Sequence, residues 1–346
     1  MLCRVADSLF WLGRYIERAE NTVRLVEVTH HSLLESESSA EDVSYSQWQP
    51  ILASLSDQAL FEKLYADHSS YNASYFLTFD TENPSSVFSC IAAARENARM
   101  IRDQISTEMW ETINRLYLYL KNTDSVRVCT ELDFNFYQEI KRFTLLFQGI
   151  KEVTFNHKLG YEFLTCGYEL ERADKTCRIL DTKRHMDAGK ETCDDTTDVA
   201  QWSAILRACS GFEAYHHEFA VQANENNIAK FLILSRDFPR SVLFCLRKLQ
   251  AAIHAISGCP ITHFSNEAER QVGMLVSNLQ YISPESLKDE EMHTLIEDIE
   301  DRLATIAIAL RDKYMFSEIT DPATEAEEEA TEEQGDFIQS QSQSEG

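Results

Sequence analysis

Side chains of apolar and aromatic character recur every three to four positions through Leu12, Tyr15, Ile16, Ala19, Val23, Val26, His30 and Leu33, the spacing of one face of a helix. The same period returns in Val242, Leu246, Leu249, Ile253 and Ile256. Of the six prolines none falls between Pro84 and Pro239, and glycine is sparse there, so little interrupts long helices. The pattern predicts an all-α fold, a helical bundle of about eight to nine helices near 5–35, 45–66, 84–121, 131–152, 157–187, 198–222, 239–257, 265–281 and 287–315. Small polar stretches near 36–44, 80–86, 187–198 and 257–265 read as the loops between them. Asn83-Pro84 and Phe238-Pro239 read as helix starts, with proline at the first helical position, where a missing N–H costs nothing.

Two of these segments are nearly the same. GRYIERAENTVR, Gly13 to Arg24, is echoed by GYELERADKTCR, Gly167 to Arg178, at an offset of 154 positions, as from Glu17 to Glu171. The offset aligns Gly13, Glu17, Arg18, Ala19, Thr22, Arg24 and His31 with Gly167, Glu171, Arg172, Ala173, Thr176, Arg178 and His185. It continues through Gln47-Trp48 and Gln201-Trp202. After one inserted residue, Pro84, Ser86, Val87 and Cys90 align with Pro239, Ser241, Val242 and Cys245. A repeat of this length predicts two duplicated helical halves, about 5–150 and 157–316, packed about a pseudo-twofold axis within one domain of 1–316. Gly13 and Gly167 are expected where helices pack closely.

Opposite the apolar face of the first helix lie Glu17, Glu20, Arg24, Glu27 and His31. Glu171, Asp174, Arg178, Asp181 and His185 repeat that spacing and charge pattern. Glu20 to Arg24 and Asp174 to Arg178 are acid-before-base pairs four residues apart, which suits a solvated, self-paired face. Alternatively the stripes converge between the halves, where carboxylates and imidazoles can hold a divalent cation, with Glu27, His31, Asp181 and His185 as candidate ligands. The four-residue spacing of acid and histidine is not the Glu-x-x-His of bundle metal sites, and no cofactor is predicted. A second stripe, Arg95, Arg99 and Arg102 flanked by Glu96 and Asp103, has no counterpart in the second half. It is expected to face the carboxylates in an ion-pair network, or else to form an anion site.

Composition narrows the function classes. A net charge of −25 argues against nonspecific binding to nucleic acid, which needs cations to displace counterions from phosphate. Ten acidic and no basic residues fall in 317–346, so about −15 remains on the rest; that segment has too little apolar content to fold and is expected to be a disordered acidic tail. No apolar run reaches the ~18–20 residues that span a bilayer. Nine scattered cysteines, never in a CxxC pair, suggest neither a disulfide framework nor a zinc knuckle, and a reducing cytoplasm is the expected location. GxSxG, P-loop, HExxH and dinucleotide fingerprints do not occur.

MLCRVADSLFWLGRYIERAENTVRL, AARENARMIRDQISTEMWETIN, GYELERADKTCRILD, GFEAYHHEF and FPRSV, in this order, closely resemble the bacterial alpha-E family across the folded region. The resemblance implies a helical domain of unknown activity, with Glu17, Arg18, Glu20, Arg95, Glu96, Arg99, Glu171, Arg172 and Asp174 as its motif residues. It also implies a gene setting shared with circularly permuted ATP-grasp proteins and transglutaminase-like peptidases, hence a system of peptide synthesis or modification. Charge pairing and surface without an activated nucleophile favour a noncatalytic helical partner in that system. The alternative is an enzyme of the same system that uses the acidic stripes with a metal or as general acid and base.

Overall fold

A computed structural model describes residues 1–35, 41–131, 133–187, 195–219, 223–283 and 289–316; the acidic tail lies outside them, as do parts of the loops near 36–44 and 187–198. Among the described residues there is no strand, and the chain is all-α. The described residues form fifteen α-helices, not eight or nine. They are α1 (Cys3–Glu35), α2 (Glu41–Ser54), α3 (Gln58–Leu64), α4 (Ser70–Thr78), α5 (Val87–Met100), α6 (Thr107–Asn122), α7 (Ser125–Glu131) and α8 (Phe134–Thr154). The second half of the chain contributes α9 (Leu159–Asp187), α10 (Asp195–Ala208), α11 (Phe212–Glu218), α12 (Glu225–Ala229), α13 (Val242–Ser257), α14 (Glu267–Tyr281) and α15 (Asp289–Tyr314), with a π-helical turn, Lys230–Leu234, after α12.

Periodicity alone overran the breaks. The helix expected over 45–66 stops at Ser54 because Ser56 takes a left-handed conformation (φ 61°), with Asp57 N–H donating back to Leu52 C=O. The one expected over 198–222 is cut in the same way by Ser210 (φ 51°), with Gly211 N–H on Leu206 C=O. The segment 84–121 divides where Ser106 caps α6 by accepting from Met109 N–H. Pro84 and Pro239 do not open helices: α5 and α13 begin three residues later, behind the capping hydroxyls of Ser86 and Ser241. Short α4, α7 and α12 were not foreseen.

The two longest helices, α1 and α9, pack on each other at the centre. Helices α5 and α8 lie against α1, whereas α13 and α15 lie against α9. The shorter elements exchange sides: α2 also packs on α9, and α10 on α1. Gly13 and Gly167 mark where the central backbones approach, since a Cβ on Gly13 would sit 2.4 Å from Leu164 O and one on Gly167 would sit 1.9 Å from Phe10 O. The expected close packing at both glycines is therefore present. Trp48 and Trp202 are fully buried in the core, and the eight described cysteines are free thiols.

His30 is enclosed by Trp48, Phe134 and Tyr137, and its ring nitrogens have no hydrogen-bond partner among the described residues. Burial, with His31 adding to it, pushes its pKa down from 6.5 to about 4. The unfolded chain takes up this proton near pH 6.5 and the folded one only near 4, so the stability contributed by neutral His30 is complete above 6.5 and lost as pH falls toward 4. The expected loss across that window is about 2–3 kcal/mol, and His30→Leu is expected to remove it. Denaturant midpoints measured from pH 7 to pH 4 on both proteins check this; parallel slopes would refute it.

Candidate functional site: crossed glutamate–arginine pairs

The Glu-Arg dipeptides of α1 and α9 exchange partners across the helix pair. Arg18 grips Glu171 side-on, Nε to Oε1 at 2.6 Å and Nη2 to Oε2 at 3.1 Å. Arg172 grips Glu17 in the same manner, Nε to Oε1 at 3.2 Å and Nη2 to Oε2 at 3.1 Å. Both carboxylates have no solvent exposure. Helical geometry explains the exchange: adjacent residues point about 100° apart, so when Glu17 lies in the α1–α9 seam Arg18 reaches past it to the partner helix.

Each buried carboxylate receives further donors. Glu171 accepts Arg14 Nε at 2.7 Å, and Lys175 Nζ stands 3.8 Å away. Glu17 accepts Asn21 Nδ2 at 2.7 Å and Arg240 Nη1 at 3.0 Å. Arg240 also donates to Glu20, which Arg24 holds through Nε at 3.1 Å and Nη2 at 2.8 Å. The turn before α13 positions Arg240, and Thr176 of α9 secures it by donating to the Arg240 carbonyl at 2.8 Å. Arg172 additionally stacks over Tyr168, 4.2 Å from the ring centroid, and bonds its hydroxyl.

Burial alone would raise both glutamates, but the surrounding cations prevail. Arg172 and Arg240 hold Glu17 down to about 2, and Arg14, Arg18 and Lys175 hold Glu171 lower still. The guanidinium groups of Arg18, Arg172 and Arg240 are in turn raised by these carboxylates against the opposing effect of burial. Because Glu17 falls from 4.5 to about 2, its contribution to stability is complete above pH 4.5 and disappears only as pH approaches 2. At neutral pH these glutamates have no proton to give, and both oxygens of each accept from a guanidinium.

The remaining stripe residues extend the network outward. Asp174 pairs with Arg178 at 3.0 Å, the expected four-residue pair. Arg178 then donates to the Ser54 carbonyl at 3.2 Å and to Ser56 Oγ at 3.1 Å, at the end of α2. Arg24 makes the corresponding contact with Ser210 Oγ, so the two left-handed serines are each tied to the long helix of the other half. The inner members of the stripes, Glu17, Glu20 and Glu171, thus meet in the interior, whereas His31 at the outer end is exposed. Glu300 of α15 stands 3.9 Å from Arg178, and burial, opposed by Arg178 but reinforced by Asp174 and Asp181, pushes it up to about 7.

Two expectations fail. Arg95, Arg99 and Arg102 do not meet the carboxylates: α5 turns Val87, Cys90, Ile91, Ala94 and Ala98 inward, and the arginines, one position further round, point away. Arg95 bonds Asn114 at 2.8 Å and lies over Trp110 and Tyr117. Arg99, 60% exposed, pairs with Glu96, and Arg102 covers Trp110. Nor do the candidate metal ligands assemble. Glu27 bonds Gln138 and Lys141 on α8, and His31 lies on Phe134. Asp181 pairs with His185 and with His293 of α15, each at 3.2 Å. Conversely, Arg14, Asn21, Tyr168, Lys175, Arg240 and Glu300 were not foreseen as members of the network.

Comparison with known proteins gives a consistent picture. The Alpha-E family model, described as a predicted alpha-helical domain with a conserved ER motif, matches residues 1–315. Curated relatives include an uncharacterized protein of Mycobacterium bovis, 25% identical over 331 residues, and one of Mycobacterium tuberculosis strain H37Rv at 24%. Each match covers 89% of this chain and 36% of the relative, so the chain spans about a third of the curated relatives' length. No solved structure matches the chain.

Proposed function

Because the chain belongs to the Alpha-E family, we propose that it is a noncatalytic helical partner of a bacterial peptide-synthesis or peptide-modification system. In that system a circularly permuted ATP-grasp protein forms amide bonds and a transglutaminase-like peptidase cleaves them. The observation that carries the reading is the state of the Glu-Arg motif. Glu17 and Glu171 are fully buried, ionised and saturated with guanidinium donors, an arrangement that fixes one helix against another and presents nothing to a substrate. About two-thirds of each curated relative lies outside the match, room for a further domain beside a helical one. No helix among the described residues is long and apolar enough to cross a membrane, in keeping with a cytoplasmic role.

We also read the chain as two duplicated halves, about 5–150 and 157–316. Three sets of residues 154 positions apart make like contacts: the glycines at 13 and 167, the crossed Glu-Arg pairs, and the left-handed serines at 56 and 210 with the arginines that reach them. The alternative, an enzyme in the same system that uses the acidic stripes with a metal or as general acid and base, draws its support from Glu300, which stands beside the second stripe 3.9 Å from Arg178 and whose carboxyl is pushed up to about 7 by burial.

Co-expression with the ATP-grasp and transglutaminase-like proteins of the same genome tests the proposal. Co-purification with the ligase, and an unchanged complex with Glu300→Gln, are expected. Absence of a complex would overturn the partner reading, and peptide turnover by the chain alone that Glu300→Gln abolishes while folding is retained would establish the enzyme instead.

A further inference from the structure

Away from the crossed pairs, the turn between α13 and α14 gathers three side chains of types that bind transition metals. One ring nitrogen of His254, the Sγ of Cys259 and a carboxylate oxygen of Glu269 all lie within 4.8 Å of one another. The local chain path brings this about. Gly258 ends α13 in a left-handed conformation (φ 74°) with its N–H on the His254 carbonyl, which turns the chain so that Cys259 returns beside the last turn of α13. Eight residues later α14 begins, and Glu269 occupies its third position behind the Asn266 cap.

We propose that His254, Cys259 and Glu269 form a zinc site. Thiolate, imidazole and carboxylate together suit Zn²⁺ among the common divalent ions, and three protein ligands leave a fourth position for water. Tetrahedral zinc holds its donors about 3.5 Å apart, so those within 4.8 Å need to close by only about 1 Å. The surroundings already orient two of the ligands. Nδ1 of His254 stands 3.0 Å from the Cys259 carbonyl, an acceptor that fixes the tautomer and orientation of the ring. Glu269 accepts from Ser265 Oγ at 3.1 Å and Asn266 Nδ2 at 2.8 Å.

His254 and Glu269 are buried, whereas Cys259 is half-buried, which gives the ion a way in. Helix capping explains Glu269 by itself. It does not explain why a thiol and an imidazole converge on the same carboxylate. Binding would release the Cys259 thiol proton to solvent and pin α13 to α14.

The test uses the full chain purified without chelator. One equivalent of zinc is expected, exchangeable for cobalt with a thiolate-to-cobalt absorption band and accompanied by a rise in melting temperature. Cys259→Ser, at a partly exposed turn, is expected to lose both the band and the zinc, and Glu269→Gln, which keeps an acceptor for the cap, to weaken binding. Cys3→Ser, the other half-buried thiol among the described residues, is expected to change neither. A wild-type chain that takes up no added zinc overturns the assignment, as does zinc retained equally by Cys259→Ser and Glu269→Gln.

Discussion

Replacing Arg240 with alanine is expected to cost about 3–5 kcal/mol of folding stability, because it takes one guanidinium from two buried carboxylates at once. Glu17 would keep Arg172, but Glu20 would be left with Arg24 alone, its Oε2 already unmatched among the described residues. With two glutamates one helical turn apart and a guanidinium removed from between them, their repulsion is no longer compensated. Arg99→Ala supplies the contrast. Its guanidinium is 60% exposed and pairs only with Glu96, so the loss should stay under about 1 kcal/mol. Denaturant midpoints of the two variants check the pair of predictions; equal shifts would mean that burial does not set the strength of these ion pairs.

Gly167→Ala is expected to be nearly as harmful, by about 3 kcal/mol or more, even though alanine is the better helix former. The added Cβ would stand 1.9 Å from the Phe10 carbonyl oxygen and 2.8 Å from its carbon, and backbone cannot rotate aside as a side chain can. Relief requires α1 and α9 to separate, which lengthens both crossed ion pairs. A Cβ on Gly149 of α8 would meet nothing within 4 Å, and the residue lies exposed, so Gly149→Ala is expected to stabilise by about 0.5–1 kcal/mol. Thermal melts of both variants give the sign directly. A neutral Gly167→Ala would show that the seam can open at little cost.

The helical class was legible because the 3.6-residue period and the lack of prolines act locally, within each segment. The helix breaks were not, because Ser56 and Ser210 adopt a backbone conformation that serine rarely takes, and no residue-type pattern announces it. Comparison of the two Glu-Arg stretches pointed to Glu17, Arg18, Glu171 and Arg172, which the fold brings together. The same comparison passed over Arg14 and Arg240, since Tyr168 and Ser85 occupy the aligned positions. Arg240 nevertheless lies in FPRSV, one of the stretches that carried the family resemblance, and that was the available clue. Arg95, Arg99 and Arg102 misled because a stripe of like charges on a helix face gives its spacing and not its heading. Which way α5 turns is decided by the small residues Cys90, Ala94 and Ala98, which let it approach α1.

The exchange of partners between α1 and α9 also constrains the order in which the chain can fold. Arg18 and Glu171 are 153 residues apart, and Glu17 and Arg172 are 155 apart, so neither carboxylate finds its guanidinium inside its own half of the molecule. A half that collapsed early around α1 or α9 would have to dehydrate a glutamate before the guanidinium that grips it arrived, with only Lys175 near Glu171 on its own helix, and the desolvation penalty opposes that. The seam face of each long helix must therefore remain wet until the two meet, and drying it is a late, shared step. Although built of helices, the protein carries a long-range pairing requirement of the kind that slows β-sheet proteins, and truncation anywhere between the two motifs leaves a chain whose most buried charges have no partner to wait for.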